Sequence, residues 1–175
     1  MDKIFPSEGK DVSSSLAGHT MTQKFSEFLK QKKLDSQVIV FSESTRTAAD
    51  AAATLKCELA QIAKSLIFKD TNSIPVLVIA SGINRVDTAK IEKILNTNIS
   101  KADADFVKEK TGFTIGGVPP FGFPSPLTTI IDEDLLNFTL IWTAAGTPNS
   151  VFSLSPQRLV EISQAPVLPI KIDAL

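Results

Sequence analysis

The sequence has few of the side chains that build common catalytic and metal sites. It contains one histidine, His19, and one cysteine, Cys57. A Ser-His-Asp or Cys-His arrangement would need His19, but that residue ends a polar N-terminal stretch in which we expect it to be solvated. One histidine and one cysteine also cannot build a common zinc site, and a single cysteine excludes an internal disulfide. If the chain is an enzyme, we expect it to act by positioning and backbone electrostatics rather than through a strong nucleophile.

Cofactor motifs and membrane signals are missing as well. The chain has no G-x-G-x-x-G, and Gly117 and Gly122 have the outer spacing of a phosphate-binding loop but are followed by Phe123 and Pro124, where that motif needs lysine and serine or threonine. We therefore predict no cofactor. No apolar run approaches the roughly 20 residues needed to span a bilayer, and the N-terminal stretch has no signal-peptide core, so we expect a cytoplasmic location.

The charged residues nearly balance, which limits the nucleic-acid partners of the chain. The net charge is −1 and the pI is about 5.8, which argues against a protein that coats long nucleic acid and leaves open one that grips a single end. The acidic run at residues 132–134 follows a predicted strand. We interpret it as a turn cap rather than as a cation site.

The chain has enough apolar surface for one sizeable core. Of its 175 residues 43% are hydrophobic and the mean hydropathy is +0.12, so we predict one domain at residues 20–175 after a flexible arm at residues 1–19. The apolar periodicity predicts strands at residues 38–41, 64–68, 75–80, 128–131, 138–143 and 151–154. It predicts helices at residues 20–33, 47–56, 87–95, 103–110 and 155–162, the third with Ile91, Ile94 and Leu95 facing inward. The predicted caps are Thr47 in a capping box with Asp50, then Asp87, Asp103 and Ser155 at helix starts, and Gly112 at a helix end. We expect an α/β (mixed α+β) fold with a mixed, partly antiparallel sheet flanked by helices.

A stretch rich in glycine and proline, residues 111–126, is the candidate binding loop. It holds four of the eight glycines and four of the ten prolines. Gly116 and Gly117 permit a bend or a close backbone approach, and Pro119 and Pro120 stiffen it. Such a loop can present backbone N–H groups in a fixed direction, although a rigid connector between two elements would have a similar composition.

Lys64 is the candidate functional cation. It lies among apolar residues at the start of a predicted strand, so its stem should be packed while its ammonium group emerges. An ammonium group held in this way is a compact point charge for a phosphate or a carbonyl. Taken alone, the same pattern also fits an ordinary lysine at a strand edge.

Several short motifs occur in an order that resembles a known family. Residues 61–68 contain I-A-K-S-L, and the apolar strand that follows ends in Ser81 and Gly82. Further along the chain come Thr-Gly-Phe, then a G-x-x-x-P loop at residues 116–120, and then an Ala-Ala-Gly turn at residues 144–146. Over residues 21–170 this series resembles the YbaK/ProX family, relatives of the editing domain of bacterial prolyl-tRNA synthetases. The resemblance implies an editing-domain-like fold and a deacylase that clears mischarged tRNA in trans. By analogy the substrate is the 3′ CCA end of tRNA for proline carrying a small amino acid, prolyl-tRNA synthetase is a partner, and neither membrane nor DNA is bound.

The resemblance also implies roles for individual residues. Lys64 would hold the 3′-terminal adenosine or its phosphate, and Gly116 would take part in catalysis through its backbone. The substrate would contact a further set of residues: Phe41, Ser65, Gly117, Val118, Pro119, Pro120, Phe121, Ala144 and Gly146. Some relatives that act on cysteinyl-tRNA have serine and aspartate where this chain has Ala144 and Val151, and polar residues occur in similar sequences where it has Phe123. We therefore expect a more apolar pocket. The amino acid that is removed would then be a small one, such as alanine, serine, threonine or a non-protein analogue.

Two other functions stay open. The chain could be a non-catalytic module that binds a tRNA end or a nucleotide and associates with a synthetase, because there is no nucleophile to be found intact or missing. It could also be a small-molecule hydrolase unrelated to tRNA. Saturable tRNA binding without ester loss would indicate the first, and inhibition by uncharged tRNA would count against the second.

Overall fold

Helices and strands alternate along the chain, as the apolar periodicity predicts. The computed structural model describes residues 12–34, 36–42 and 47–173. Within this part of the chain the helices are α1 (Val12–Gln31), α2 (Ala48–Leu55), α3 (Thr88–Leu95), α4 (Ala104–Thr111) and α5 (Pro156–Ser163). The strands are β1 (Ile39–Val40), β2 (Ile62–Asp70), β3 (Pro75–Ser81), β4 (Ile99–Lys101), β5 (Thr128–Asp132), β6 (Ile141–Ala144), β7 (Ser150–Leu154) and β8 (Val167–Leu168). Two 3₁₀ turns, Leu59–Gln61 and Glu133–Asn137, precede β2 and follow β5.

The eight described strands form one mixed sheet, which confirms the predicted fold class. Their order is β1-β7-β6-β2-β3-β5-β8, and β4 also pairs with β2. The β2–β6, β3–β5 and β5–β8 pairs are parallel, and the remaining pairs are antiparallel. The central strand β3 is buried on both faces, which is why it reads in the sequence as a continuous apolar run.

The helix ends follow the capping residues of the sequence. The side chain of Thr47 accepts a hydrogen bond from the Asp50 N–H at 3.1 Å, and the Asp50 carboxylate accepts one from the Thr47 N–H at 3.3 Å. This is the predicted capping box with aspartate in place of glutamate. The other predicted caps are also confirmed: Asp87 for α3, Asp103 for α4, Ser155 for α5, and Gly112 as the left-handed end of α4.

The structure corrects several details of the sequence prediction. The first helix begins at Val12 rather than Thr20, so residues 12–19 of the predicted arm are helical, while residues 1–11 lie outside the described residues. Ile94 is 45% exposed instead of facing inward, because the apolar face of the short helix α3 centres on Ile91. The strand predicted at residues 138–143 begins only at Ile141, since the Phe138 N–H still bonds back to the Leu135 carbonyl of the 3₁₀ turn that ends at Asn137.

The core lies on both faces of the sheet. The larger cluster packs α1, through Phe25 and Leu29, against strand residues that include Leu77 and Phe152. A second cluster covers the opposite face, where Ile91 of α3 packs with even-numbered residues of β3. Because side chains alternate between faces along a strand, successive strand residues contribute to clusters on opposite faces. A third, smaller cluster packs Ala51 and Ala52 of α2 on Ile62 of β2. No helix in the described ranges is long and apolar enough to cross a membrane.

Candidate functional site

One edge of β2 is only partly paired. Strand β6 pairs with β2 at residues 62–63, and β4 pairs with the same strand at residues 68–70. Among the described strands none pairs with residues 64–67 on that edge, although all four pair with β3 on the other edge. The sheet therefore has a gap beside the middle of its longest strand.

Ser65 directs its backbone N–H and C=O groups into this gap. The Ile62 carbonyl accepts from the Gly82 N–H at 2.8 Å on the β3 side, and the Ile67 carbonyl accepts from the Ala102 N–H at 3.2 Å on the opposite side. Backbone groups of alternate residues point to alternate edges of a strand. Ser65 has the same parity as Ile67, so its N–H and C=O point away from β3.

A cleft with a volume of about 250 Å³ opens at the gap. Strands β2 and β6 form its floor, and α2, residues 115, 116 and 118, and the turn around Pro148 form its walls. Five of the residues predicted to form the site line this cleft: Lys64, Ser65, Gly116, Val118 and Ala144. The structure thus brings the lysine of the first half of the chain and the glycine-proline loop of the second half to one concavity.

Lys64 is half-buried and has no hydrogen bond or ion pair with another described residue. Burial lowers the pKa of Lys64 from its ordinary value of 10.5, the carboxylate of Asp132 opposes this shift, and the guanidinium of Arg85 adds to it. The lowered pKa means that the protein disfavours the charged form of this lysine. An anionic ligand in the cleft would supply the partner that the protein itself does not.

The two glycines of the loop serve different purposes. Gly116 has a φ of +88°, in the left-handed region that L-residues rarely adopt. Gly117 has no such dihedral, but a Cβ there would lie 2.7 Å from the Thr147 carbonyl carbon and 2.8 Å from its Cα. Gly116 therefore makes the bend, and Gly117 allows the loop to pack directly on the turn at residues 147–148.

Few N–H groups of the loop are available to a ligand. Pro119 and Pro120 have none, and the Gly117 N–H donates to the Thr114 carbonyl at 2.9 Å. The N–H groups of Gly116 and Val118 have no backbone acceptor among the described residues, and both residues line the cleft. Two backbone donors on a rigid loop are the arrangement that stabilises a developing oxyanion.

Two buried hydroxyl groups in the cleft have no partner. The Oγ of Ser65 and the Oγ1 of Thr143 are shielded from solvent and form no hydrogen bond with any residue that the structure describes, and both residues line the cleft. Thr143 was not predicted from the sequence. It lies in a β-branched, apolar strand segment, and only the pairing of Thr143 with Ala63 on β2 reveals that it faces the cleft.

Six residues predicted to contact substrate lie outside the lining of the cleft. Phe121 is 5% exposed, and its ring packs in the core against the rings of Phe25, Phe28 and Phe152. The other five are also absent from the lining: Phe41, Gly117, Pro119, Pro120 and Gly146. Phe123 also lies outside the lining and contacts the Phe113 ring edge-on.

The acidic run forms a turn cap, as predicted. The Asp132 carboxylate accepts hydrogen bonds from the N–H groups of Ser81 and Asp134, each at 3.0 Å, and from the Asn84 side chain at 2.8 Å. These bonds occupy its oxygens inside the protein. In the part of the chain that is described, no group of three or more His, Cys, Asp or Glu side chains could hold a metal ion.

Comparison with known sequences gives one family and a bacterial relative. Residues 42–162 match the sequence model of the aminoacyl-tRNA editing domain. The protein YwhH of Bacillus subtilis (strain 168), which is itself uncharacterised, is 33% identical over 129 residues, or 74% of this chain and 82% of the relative.

Comparison with solved structures gives similar folds over nearly the whole chain. A candidate trans-editing enzyme for prolyl-tRNA synthetase has a TM-score of 0.82 at 35% identity, covering 87% of this chain and 98% of the other. The hypothetical protein APE2540 has a TM-score of 0.79 at 30% identity, covering 85% and 99%.

Proposed function

The chain belongs to the aminoacyl-tRNA editing domain family, and from this we propose that it hydrolyses the ester of mischarged aminoacyl-tRNA in trans. The substrate that we propose is the 3′ CCA end of tRNA for proline carrying a small non-cognate amino acid. The likeness to a candidate trans-editing enzyme for prolyl-tRNA synthetase supports this choice of tRNA. The near-neutral net charge of −1 fits a protein that grips one end of a tRNA rather than its whole length.

One observation carries the proposal. Lys64, half-buried and without a partner among the described residues, lines the same cleft as Gly116 and Val118, whose N–H groups have no acceptor in the described part of the chain. The ammonium group would bind a phosphate of the terminal adenosine, or the adenosine itself. The two N–H groups would then lie on the side of the cleft where the ester carbonyl is bound.

The chemistry that we propose needs no side-chain nucleophile. Water adds to the ester carbonyl carbon, and the Gly116 and Val118 N–H groups stabilise the oxyanion that forms. The carbon–oxygen bond to the ribose then breaks, and the ribose oxygen takes up a proton from the attacking water. The neighbouring ribose hydroxyl is placed to orient that water, and the protein contributes the alignment of water and ester.

Deacylation of a panel of tRNAs charged with different amino acids tests the proposal. Lys64→Ala should lose most activity while remaining folded, as judged by circular dichroism and urea unfolding. The matched control is Lys69→Ala on the same strand, since the Lys69 ammonium group lies over the Phe106 ring, 5.8 Å from its centroid, rather than in the cleft. Wild-type rates in a folded Lys64→Ala variant would contradict the role of Lys64. Saturable tRNA binding with no ester loss for any amino acid would instead identify a binding module.

A further inference from the structure

The two unpartnered hydroxyl groups of the cleft require an explanation. Buried hydroxyl groups in proteins are normally hydrogen-bonded, because an unpaired one loses its bonds to water without replacement. Thr143 is 2% exposed, and neither its Oγ1 nor the Ser65 Oγ has a partner. The nearby Ser150 hydroxyl shows the usual situation, since it lies 2.6 Å from the Thr147 hydroxyl.

Ser65 and Thr143 point to the same face of the sheet. Thr143 pairs with Ala63 in the parallel β2–β6 ladder, and Ser65 lies two residues beyond Ala63 on β2. Residues one strand apart and two positions along are separated by roughly 8 Å between Cα atoms. The two side chains are therefore diagonal neighbours on one face. Because both hydroxyl oxygens are shielded from solvent in the free protein, a ligand group can bond to them only after the side chains rotate about χ1 towards the cleft.

On the face of the sheet that carries this hydroxyl pair, no charged side chain of a described residue lines the cleft. Lys64 is adjacent to Ser65 in sequence and therefore points to the opposite face. Ala63 and Val118, which belong to the larger core cluster, line the cleft with the pair. A charged side chain would find no counter-charge there, whereas a neutral hydroxyl group can both donate to and accept from serine and threonine.

We infer that Ser65 and Thr143 together select an amino acid whose side chain carries a hydroxyl group. This inference rests on the proposed deacylase function and names the substrate class as seryl or threonyl esters, in preference to alanyl or valyl esters of similar shape. The cleft volume of about 250 Å³ is enough for a small amino-acid side chain. A site built to bond a substrate hydroxyl rejects the analogue that lacks it, because its own polar groups then stay unpaired.

The test compares matched esters on one tRNA. Wild-type kcat/KM should be at least about 10-fold higher for threonyl than for valyl ester, and for seryl than for alanyl ester. Thr143→Val keeps the shape of the side chain and removes the hydroxyl group, so it should reduce the threonyl-to-valyl ratio to within about threefold of unity. Ser65→Ala should act in the same direction, while Thr143→Ser should retain the preference.

Ser26 supplies the matched control. Its Oγ is the third buried hydroxyl for which no described residue supplies a partner, but Ser26 does not line the cleft. Ser26→Ala should leave both ratios unchanged. If Thr143→Val and Ser26→Ala shift the ratios equally, or if wild type hydrolyses the matched esters at equal rates, the inference is wrong although the deacylase function stands.

A binding measurement separates this inference from the proposed function. The probes are the amide analogues 3′-serylamino- and 3′-alanylamino-3′-deoxyadenosine, which cannot be hydrolysed. Tighter binding of the seryl analogue, reduced by Thr143→Val, supports the hydroxyl selection. Equal binding of the two analogues overturns it. If no charged tRNA is hydrolysed, the deacylase function fails, and the assignment of a substrate class fails with it.

Discussion

Replacing Gly116 by alanine should separate the catalytic contribution of the loop from its contribution to stability. Gly116 has a φ of +88°, so alanine there is strained. Gly112, at the end of α4, has a φ of +82° and is strained in the same way. Gly112→Ala therefore reproduces the backbone cost of Gly116→Ala at a position outside the cleft.

The structure indicates that backbone strain is the main cost at both positions. A Cβ at Gly112 would meet no atom within 4 Å, and one at Gly116 would meet only the Pro148 ring at 3.7 Å and 3.9 Å, which is ordinary contact. An L-residue in the left-handed region costs about 1–2 kcal/mol. We expect each variant to lose about that much free energy of unfolding, measured by urea denaturation.

The activities of the two variants should differ widely. Alanine at residue 116 can relieve its strain only by rotating the neighbouring peptide groups, which turns the Gly116 N–H away from the ester. Loss of one oxyanion donor lowers kcat by about 10²–10³-fold. The kcat of Gly116→Ala for deacylation should therefore fall by that factor, while the kcat of Gly112→Ala should stay near the wild-type value. Equal activities in two variants of equal stability would refute the assignment of Gly116 as a donor.

Further predictions concern the lysine and its surroundings. Burial lowers the pKa of Lys64 in the folded protein, so keeping this lysine charged at neutral pH destabilises the folded state, and Lys64→Met should be more stable than wild type. Between the lowered pKa and 10.5 the folded protein has lost the proton that the unfolded chain still binds, so urea unfolding should show this stability difference shrinking as the pH rises towards 10.5. Asp132→Asn removes a charge that raises the pKa of Lys64, so NMR titration of Lys64 should give a still lower pKa. Phe121→Ala, in a core position that is 5% exposed, should cost about 3–5 kcal/mol in urea unfolding; a loss below about 1 kcal/mol would contradict its packing role. Gly117→Ala should cost about 1–3 kcal/mol, because its Cβ would collide with the Thr147 backbone, and unchanged stability would contradict that close approach.

Local signals in the sequence were sufficient for much of the fold. The caps at Thr47, Asp87 and Ser155 are decided by residues within one helical turn, and the structure confirms them. The family resemblance carried by the I-A-K-S-L segment and the loop at residues 116–120 is confirmed by the match to residues 42–162. Strands β4 and β8, with three and two residues, were not predicted, because so short a segment has no periodicity of its own.

The site was harder to predict because it depends on pairing between distant strands. Lys64 and Gly116 could be chosen from their local sequence, and the structure places both in one cleft. Phe121 follows the two prolines of the loop, and nothing in the sequence indicates that its ring turns into the core instead of the cleft. Thr143 could not be distinguished from an ordinary strand residue until its register opposite Ala63 was known.

The position of the unsatisfied groups argues that the cleft is a binding site rather than a packing defect. A defect would leave isolated unpaired groups anywhere in the core, as with the Ser26 hydroxyl. Here the groups that have no partner among the described residues all border one gap in the sheet: the hydroxyls of Ser65 and Thr143, the Lys64 ammonium group and the outer backbone groups of Ser65. Each of these groups lowers the stability of the free protein. Because one small ligand with an anion, a carbonyl and a hydroxyl group could satisfy several of them at once, their convergence is what a site for an aminoacyl ester requires.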